Sequence, residues 1–310
     1  MPVQPEWGEG YLLPSKRPGL DIESQNFQNL RNISNQFVKF EGELTMNWTN
    51  QVAIVTGGAS GIGAGTVREL AARGANVAIF DINQVTGKVL ANELSETGPL
   101  CAFYAVDVSN EASCFEAVDR VAETFGHINI LVNDAASFIS RGLDVTTADW
   151  EHSLGVNVRG YSNMVRACYK YMQRDGGGAI VNLASISGYI AQPNRWTYNA
   201  CKGAILSLTR CQALDLAGAG IRVNSVSPGW ILTPEVEKAL GDNPQQKLKE
   251  WGDYHILRRL GDPVEVARAI AFLCSSDASF ITGVDLPVDG GYLAIGPEKH
   301  GGTSEFAGSI

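Results

Sequence analysis

The sequence predicts an α/β fold in which a buried parallel sheet carries helices on both faces. Short apolar runs rich in Val and Ile alternate with longer segments of helical periodicity along the body of the chain. Such runs are typical of strands that are buried on both faces, and this alternation implies right-handed crossovers between parallel strands. The predicted strands are residues 51–56, 75–81, 101–106, 128–133, 179–183, 222–226 and 285–288, and the clearest predicted helices are residues 62–73, 111–125 and 196–217.

The 310 residues divide into an arm, a long body and a short tail. The body, residues 49–296, contains no internal repeat and is predicted to be one catalytic domain with a seven-stranded sheet. The tail, residues 297–310, is expected to leave the sheet. The arm, residues 1–48, has apolar side chains near helical spacing, which predict a short amphipathic helix; a loosely ordered terminus is the alternative.

Composition argues against several classes of function. The chain carries 33 acidic and 24 basic side chains, and the formal charge of -9 argues against nucleic acid and anionic membranes as partners. We find no leader sequence and no apolar stretch of about 18 residues, so a cytoplasmic protein without a membrane span is expected. The six cysteines form no CxxC pair and the four histidines lie far apart, so no metal site is predicted.

A glycine-rich turn follows the first predicted strand directly and leads into the first predicted helix. Glycines let the backbone approach a pyrophosphate, and the helix N-terminus offers free N–H groups and the positive end of its dipole. This context predicts a doubly wound, Rossmann-type sheet that binds a dinucleotide. The predicted phosphate-binding residues are Gly57, Ser60, Gly61, Ile62 and Gly63.

Asp81 ends the second predicted strand, eighteen positions beyond Gly63. A carboxylate there can accept hydrogen bonds from both ribose hydroxyls of an adenosine, and it would repel the additional phosphate of NADP. No basic residue occurs at positions 59, 60, 82 or 83 to attract that phosphate, so NAD is the expected cofactor. Asp107 and Val108 follow the third strand and are predicted to contact the adenine; for Asp107, capping of the helix near Asn110 is the alternative.

The candidate catalytic pair is Tyr198 and Lys202, which are four residues apart in a predicted helix and therefore share one face. A tyrosine is a poor base near neutrality, and a nearby ammonium lowers its pKa toward the range in which acid–base catalysis is efficient. Ser185 lies just past the fifth predicted strand, at the sheet edge where ligands bind. Its hydroxyl can hold a substrate oxygen beside the tyrosine.

In this order, the motifs resemble the short-chain dehydrogenase/reductase family. The resemblance covers residues 50–292 and leaves the arm outside it. Besides the glycine turn, Asp81, Asp107, Ser185 and the Tyr198-x-x-x-Lys202 pair, it rests on Asn133-Asp134-Ala135-Ala136, Asn157, Pro228-Gly229, Ser276-Asp277-x-x-x-x-Ile281-Thr282-Gly283 and Val288-Asp289-Gly290-Gly291.

The resemblance implies a role for each matched catalytic residue. Tyr198 would be the general acid in ketone reduction and the base in alcohol oxidation, and Lys202 would also bond the nicotinamide ribose. Ser185 would steady the substrate oxygen. Asn157 would hold a water that relays protons through Lys202, with a purely structural asparagine as the alternative. The resemblance also implies transfer of the pro-S hydride and a homotetramer packed through residues 263–291.

The same resemblance extends the set of cofactor-binding residues. Four residues after the sixth strand would bracket the nicotinamide, although capping of a helix before Pro234 is an alternative role for one of them, Thr233. The residues added in this way are Asn133, Ala135, Pro228, Gly229, Ile231 and Thr233.

One motif departs from the family pattern. Family members usually read Asn-Asn-Ala-Gly after the fourth strand, where this chain has Asn133-Asp134-Ala135-Ala136. Asp134 replaces an amide with an acid, and Ala136 adds a methyl group close to the cofactor. We expect a small shift in local packing without loss of binding.

Two aromatic-rich segments are predicted to form the substrate pocket, and aromatic walls suit a compact cyclic alcohol or ketone, such as a sugar or polyol. A steroid or an acyl thioester stays an alternative. Arg195 and His255 are expected to be structural or rim residues. The predicted wall residues are Trp230, Trp251, Tyr254 and His255 on one side and Phe138, Arg141, Gln192, Asn194 and Trp196 on the other.

The sequence therefore predicts an NAD-dependent oxidoreductase that transfers a hydride between nicotinamide and a small secondary alcohol or ketone. Two alternatives remain open at this point. One is an epimerase or dehydratase that uses the nicotinamide only transiently, and the other is a nucleotide-binding sensor without turnover.

Overall fold

A computed structural model of the protein describes residues 48–96, 98–297 and 300. Almost all of the predicted arm (1–48) and tail (297–310) lies outside the described residues, so the amphipathic helix of the arm stays a prediction. The described residues form the body that the sequence assigns to the catalytic domain.

Seven parallel strands form one sheet, as predicted, and their order in the sheet is β3-β2-β1-β4-β5-β6-β7. Each strand begins and ends within two residues of its predicted position. The largest extension is in β6, which continues through Ser227 and Pro228 because both pair with β7. The strands β1 to β7 are Val52–Thr56, Asn76–Asp81, Cys101–Ala105, Ile130–Asn133, Gly178–Leu183, Ile221–Pro228 and Asp285–Val288.

Nine α-helices connect or follow these strands in the described part of the chain. A π-helical segment, Gly155–Arg159, joins the fourth helix to the fifth without a break. The helices α1 to α9 are Gly61–Ala72, Gln84–Ser95, Glu111–Phe125, Thr147–Leu154, Gly160–Arg174, Trp196–Leu216, Pro234–Leu240, Pro244–Gly252 and Pro263–Cys274.

The core lies on both faces of the sheet, and β1 shows how the sequence divides between them. Ala53 and Val55 pack into the cluster under α1 and α9, whereas Val52 and Ile54 pack into the opposite cluster under α3 and α5. All four side chains are fully buried, so β1 reads as a continuous apolar run rather than as an alternating one. The chain therefore gains apolar burial on two faces from one short strand.

The sheet order changes direction between β1 and β4, which are neighbours in the sheet but not in the chain. In a doubly wound sheet the loops on either side of such a point leave toward opposite faces, and a crevice opens at the carboxyl ends of the strands. The fold thus places the ends of β1, β4, β5 and β6 along one edge.

Over the part of the chain that the structure describes, no helix combines the length and the apolarity needed to cross a membrane.

Candidate active site

A cleft of about 930 Å³ lies at the carboxyl edge of the sheet. A volume of this size is at the upper end of the range for ligand pockets, which is appropriate for a large ligand with a small one beside it. All but three of the predicted site residues line this cleft. The predicted site residues that line the cleft are Gly57, Ser60, Gly61, Ile62, Asp81, Asp107, Val108, Ala135, Ser185, Tyr198, Lys202, Pro228, Gly229, Ile231 and Thr233.

The turn after β1 lies directly against the loop after β4. Thr56 Oγ1 accepts hydrogen bonds from the backbone N–H groups of Asp134 and Ala135, at 3.0 and 3.1 Å. Gly57 has a left-handed backbone with φ of +67°, and a Cβ there would lie 2.9 Å from the Ala135 backbone nitrogen. Only glycine allows this close approach.

The N-terminus of α1 faces the cleft, and its N-cap residue does not cap it. Ser60 occupies the N-cap position but its hydroxyl bonds no backbone N–H, and the first turn contains no acidic residue. A side chain at Gly63 would overlap the Gly57 carbonyl oxygen, so the helix enters tightly against the turn. The Gly63 N–H is hydrogen-bonded to the Asp134 carboxylate, and the earlier N–H groups at the positive end of this twelve-residue helix fit a pyrophosphate.

The Asp81 carboxylate is held at the end of β2 by two backbone groups. Oδ2 accepts the N–H of Ala59 at 3.0 Å, and Oδ1 accepts the N–H of Asn83 at 2.8 Å. These bonds fix the carboxylate beside the glycine turn, where a ribose hydroxyl can reach it.

Asp107 lines the cleft beyond β3, and it does not cap α3. Asp107 Oδ1 accepts hydrogen bonds from the backbone N–H and the hydroxyl of Ser109. The residue that caps α3 is Asn110, whose side chain accepts the N–H of Ser113 at 3.1 Å. The capping alternative for Asp107 is therefore wrong.

Tyr198 and Lys202 lie one turn apart on α6, and both face the cleft beside Ser185. The Lys202 Nζ donates to the Leu183 carbonyl oxygen at 2.6 Å and lies 5.6 Å from the centroid of the Tyr198 ring. The Ser185 hydroxyl, the Tyr198 phenol and the Lys202 ammonium thus come together from the loop after β5 and from α6.

The electrostatics of this group differ from the sequence expectation. Burial raises the pKa of Tyr198, the nearby Asp134 carboxylate raises it further, and the two groups that oppose this rise are Ser185 and Arg195. Burial lowers the pKa of Lys202 and raises the pKa of Asp134, because each charged form loses water. The expected lowering of the phenol pKa by Lys202 is therefore not seen: the groups that lower this pKa are Ser185 and Arg195, and the Lys202 ammonium is directed to the Leu183 carbonyl.

Three predicted residues lie behind the cleft rather than in its wall. One is Gly63, and another is Asn133, whose Nδ2 donates to Asn182 Oδ1 at 2.9 Å in the buried sheet. Asn182 in turn donates to Thr209 Oγ1 and Gln212 Oε1 on α6. Asn133 therefore contacts other side chains of the core and does not face the cofactor cleft.

The third residue, Asn157, is buried in the π-helical segment. Its Nδ2 donates to the carbonyl oxygens of Ser137 and Ser153, both at 2.9 Å, and its Oδ1 accepts the Ser137 N–H at 3.0 Å. These bonds hold the loop after β4. The water relay implied by the resemblance stays a prediction.

Thr233 has the capping role that the sequence left open, and it also lines the cleft, where its contact with the nicotinamide stays a prediction. Its hydroxyl caps α7 by accepting the Val236 N–H, and Pro234 follows at the first helical position. Its methyl group also lies against the glycine turn, since a Cβ at Gly61 would come within 3.4 Å of Thr233 Cγ2.

Aromatic rings surround the open side of the cleft. Phe138 meets Tyr198 edge-on at 4.8 Å between centroids, and Trp230 lies 4.8 Å from Trp251 and 6.4 Å from Tyr254. Phe138, Gln192 and Trp230 line the cleft as predicted. The predicted wall residues that do not line it are Arg141, Asn194, Trp196, Trp251, Tyr254 and His255.

His255 has the structural role that the sequence predicts. It is 1% exposed, its Nε2 lies 3.2 Å from the Trp230 backbone N–H, and its Nδ1 lies 3.0 Å from the Trp251 carbonyl oxygen. A neutral ring with the proton on Nδ1 satisfies both groups, and burial lowers the pKa of His255. His255 therefore anchors the loop that carries Trp230.

Sequence reasoning missed several wall residues. Asp134 was visible only as a departure from a motif, and Ser187 only as a second serine near Ser185. His152 and Glu235 come from helices whose sequences carry no signal for the cleft.

The described residues contain no group of three or more His, Cys, Asp or Glu side chains that could hold a metal ion.

A family model described as an enoyl-(acyl carrier protein) reductase matches residues 57–293. The chain belongs to the short-chain dehydrogenase/reductase family. Dehydrogenases of this family use a nicotinamide dinucleotide, NAD or NADP. The chain is thus an oxidoreductase of the short-chain family, and the helix N-terminus at the glycine turn fits such a cofactor.

Several curated short-chain relatives are similar over most of their length. The cis-4-hydroxycyclohexanecarboxylate dehydrogenase of Sinomonas cyclohexanicum is 39% identical over 252 residues, which cover 80% of this chain and 98% of the relative. The cyclopentanol dehydrogenase of Comamonas testosteroni is 37% identical over 246 residues, covering 79% and 98%. The oxidoreductase UcpA of Salmonella typhimurium is 37% identical over 249 residues, covering 78% and 94%.

Solved structures agree with this assignment. The crystal structure of levodione reductase matches with a TM-score of 0.76 and 31% identity, covering 80% of this chain and all of that one. This likeness supports the same doubly wound architecture for the short-chain fold described here.

We predict that Gly63→Ala weakens dinucleotide binding, because the new methyl group would press against the Gly57 carbonyl and move the helix from the turn. An overpacking cost of about 1–3 kcal/mol corresponds to roughly a 5- to 150-fold loss of affinity for NAD, measured by isothermal titration calorimetry. Gly218→Ala is the control, since a Cβ there meets nothing within 4 Å. Equal affinity of both variants, with native circular dichroism, would contradict the assignment of the glycine turn as the dinucleotide-binding site.

Proposed function

We propose that the protein is an NAD-dependent dehydrogenase that transfers a hydride between nicotinamide and a cyclic secondary alcohol or its ketone. The observation that carries this proposal is the placement of Tyr198 and Ser185 in the same cleft as the glycine turn. The substrate class is supported by two relatives named for cyclic alcohols, at 39% and 37% identity, and by the aromatic rings at the open side.

Each residue of the cleft has a definite task in this proposal. The turn at Ser60 to Gly63 holds the pyrophosphate, Asp81 bonds the adenosine ribose, and Pro228 to Thr233 border the nicotinamide. When bound, the nicotinamide supplies the hydride chemistry. Tyr198 gives its proton to the ketone oxygen in reduction and takes the alcohol proton in oxidation.

Two further side chains support the phenol. The Ser185 hydroxyl lies within hydrogen-bonding distance of the Tyr198 hydroxyl. In the proposal both hydroxyls bond the substrate oxygen, and Ser185 holds that oxygen in place. Lys202 is buried and tied to the Leu183 carbonyl, so its ammonium is presented from the floor of the cleft. In the proposal it bonds the nicotinamide ribose and stabilises the phenolate once a cofactor fills the cleft.

We predict that Tyr198→Phe lowers the rate of alcohol oxidation by at least about 100-fold while NAD binding is retained, because only the proton-transfer group is removed. The rate is followed as NADH formation with cyclohexanol and cyclopentanol. Tyr104→Phe is the matched control, since Tyr104 lies on β3 and its hydroxyl bonds Thr124 on α3, away from the cleft. A Tyr198→Phe variant as active as the native protein would refute the mechanism.

The same assay separates the two alternatives. A dehydrogenase accumulates NADH in step with ketone, whereas an epimerase or dehydratase converts its substrate without net NADH. A nucleotide sensor would bind NAD but convert none of the alcohols. Net NADH formation that depends on Tyr198 is the result expected here.

The preference for NAD over NADP rests on the charge of Asp81. We predict that Asp81→Asn reduces the preference for NAD at least about tenfold, because the amide oxygen can still accept the Ala59 N–H while the repulsive charge is lost. The measurement is the ratio of kcat/KM for the two cofactors. Asp119→Asn, on the surface beside Lys170, should leave this ratio unchanged.

The pH dependence of oxidation provides a test of the Asp134 charge. Asp134 raises the pKa of Tyr198, so Asp134→Asn should lower that pKa. Oxidation needs the deprotonated phenol, and the acidic limb of the kcat/KM profile should therefore move to lower pH. A limb that stays in place or moves upward would show that Asp134 does not act on the phenol.

We also propose a homotetramer assembled through residues 263–291, with a location in the cytoplasm. The tetramer is supported by exposed apolar side chains in that segment, among them Phe280 and Val284. Sedimentation of a monomer at micromolar concentration would refute the tetramer.

A further inference from the structure

Arg195 occupies the mouth of the cleft, three residues before Tyr198 and at the N-cap position of α6. Its guanidinium carbon lies 4.9 Å from the centroid of the Phe138 ring and 5.4 Å from that of Trp230. The cation is therefore held between two aromatic side chains, one from each side of the substrate opening. Aromatic faces favour such a cation, and they fix the plane of its N–H groups.

The charge of Arg195 has no acidic partner within the described residues. Residues 48–96, 98–297 and 300 include nine ion pairs, and none of them contains Arg195. Its side-chain hydrogen bond is to a neutral group, Gln192 Oε1, at 3.2 Å. By contrast Arg141, near the same loop, lies 3.4 Å from the Asp149 carboxylate.

This cation is also partly removed from water. Arg195 is half-buried, and the loss of solvent lowers its pKa from the ordinary value of an arginine. A half-buried charge without a counterion is costly, and an incoming anion relieves that cost. Gln192 is held in turn by the Ser187 hydroxyl at 2.6 Å, so the guanidinium is supported from behind.

We propose that Arg195 binds a carboxylate carried by the substrate, so that the preferred substrate is a cyclic hydroxy acid whose hydroxyl group reaches Tyr198. The inference rests on the proposed function and adds the acidic group to it. A guanidinium has five N–H donors, and one bond to Gln192 leaves enough of the fork for bidentate binding of a carboxylate.

Charge balance favours a carboxylate over a phosphate ester. One unpaired guanidinium neutralises one negative charge, whereas a dianion would leave excess charge in a cleft that already contains Asp134 and Asp81. The chain as a whole is also acidic, with a formal charge of -9. A monoanion is therefore the matched ligand.

Turnover of a matched substrate pair tests the inference. The substrates are 4-hydroxycyclohexanecarboxylate and its methyl ester, compared by kcat/KM with NAD. We expect the native protein to prefer the acid by about 10- to 100-fold, and Arg195→Met to abolish that preference, mainly through KM. Any change in the Tyr198 pKa affects both substrates alike and cancels in the ratio.

Two further variants sharpen the result. Arg195→Lys keeps the charge but loses the planar fork, and it should retain an intermediate preference. Arg141→Met removes a nearby exposed arginine that does not line the cleft, and it should retain the native preference. A ratio of kcat/KM for the acid to kcat/KM for the ester near one in the native protein would overturn the proposal. A ratio that Arg195→Met does not change would also overturn it.

Binding without turnover separates this inference from the proposed function. Cyclohexanecarboxylate and cyclohexanecarboxamide have no hydroxyl to oxidise, and their affinities are measured by calorimetry on the complex with NADH. We expect the carboxylate to bind at least about tenfold tighter, and Arg195→Met to remove the difference. Equal binding of acid and amide overturns the inference even if neutral alcohols are oxidised. Tighter binding of cyclohexyl phosphate than of the carboxylate would overturn the choice of anion.

Discussion

The cleft depends on the contact between the turn after β1 and the loop after β4. A single hydroxyl, Thr56 Oγ1, accepts two backbone N–H groups from a loop 78 residues further along the chain. Gly57 lets the two backbones meet because it has no side chain and adopts a left-handed conformation. If these segments separated, the start of α1 would no longer face the same crevice as Tyr198. Cofactor binding and catalysis therefore share one structural origin.

The pKa of the Tyr198 phenol is raised mainly by burial and is adjusted by groups from different parts of the fold. Asp134, from the loop after β4, raises the pKa of Tyr198, whereas Arg195, from the start of α6, lowers it. Burial exceeds both effects. The Lys202 ammonium lies 5.6 Å from the centroid of the phenol ring and donates its hydrogen bond to the Leu183 carbonyl oxygen. Two groups that adjust this pKa, Asp134 and Arg195, thus lie outside the set of Ser185, Tyr198 and Lys202.

Much of the fold could be predicted from local pattern, because a doubly buried strand and an amphipathic helix each have a distinct periodicity. The pairing of Tyr198 with Lys202 was predictable for the same reason, since four residues make about one helical turn. The surroundings of Arg195 were not predictable, because Phe138 and Trp230 come from distant segments and no spacing rule joins them. Asn133 was misplaced because its position in a motif does not reveal whether its amide faces a ligand or the core.

The buried amide chain behind the cleft has a mechanical consequence. Asn182 on β5 donates to Thr209 and Gln212 on α6, and it accepts from Asn133 on β4. Interdigitated apolar side chains already resist rotation of this helix, and the directed hydrogen bonds add a second constraint. A rotation of α6 would strand these amides in a dry interior, which is expensive. The network therefore fixes the rotation of α6 about its own axis, and with it the orientation of the Tyr198 side chain.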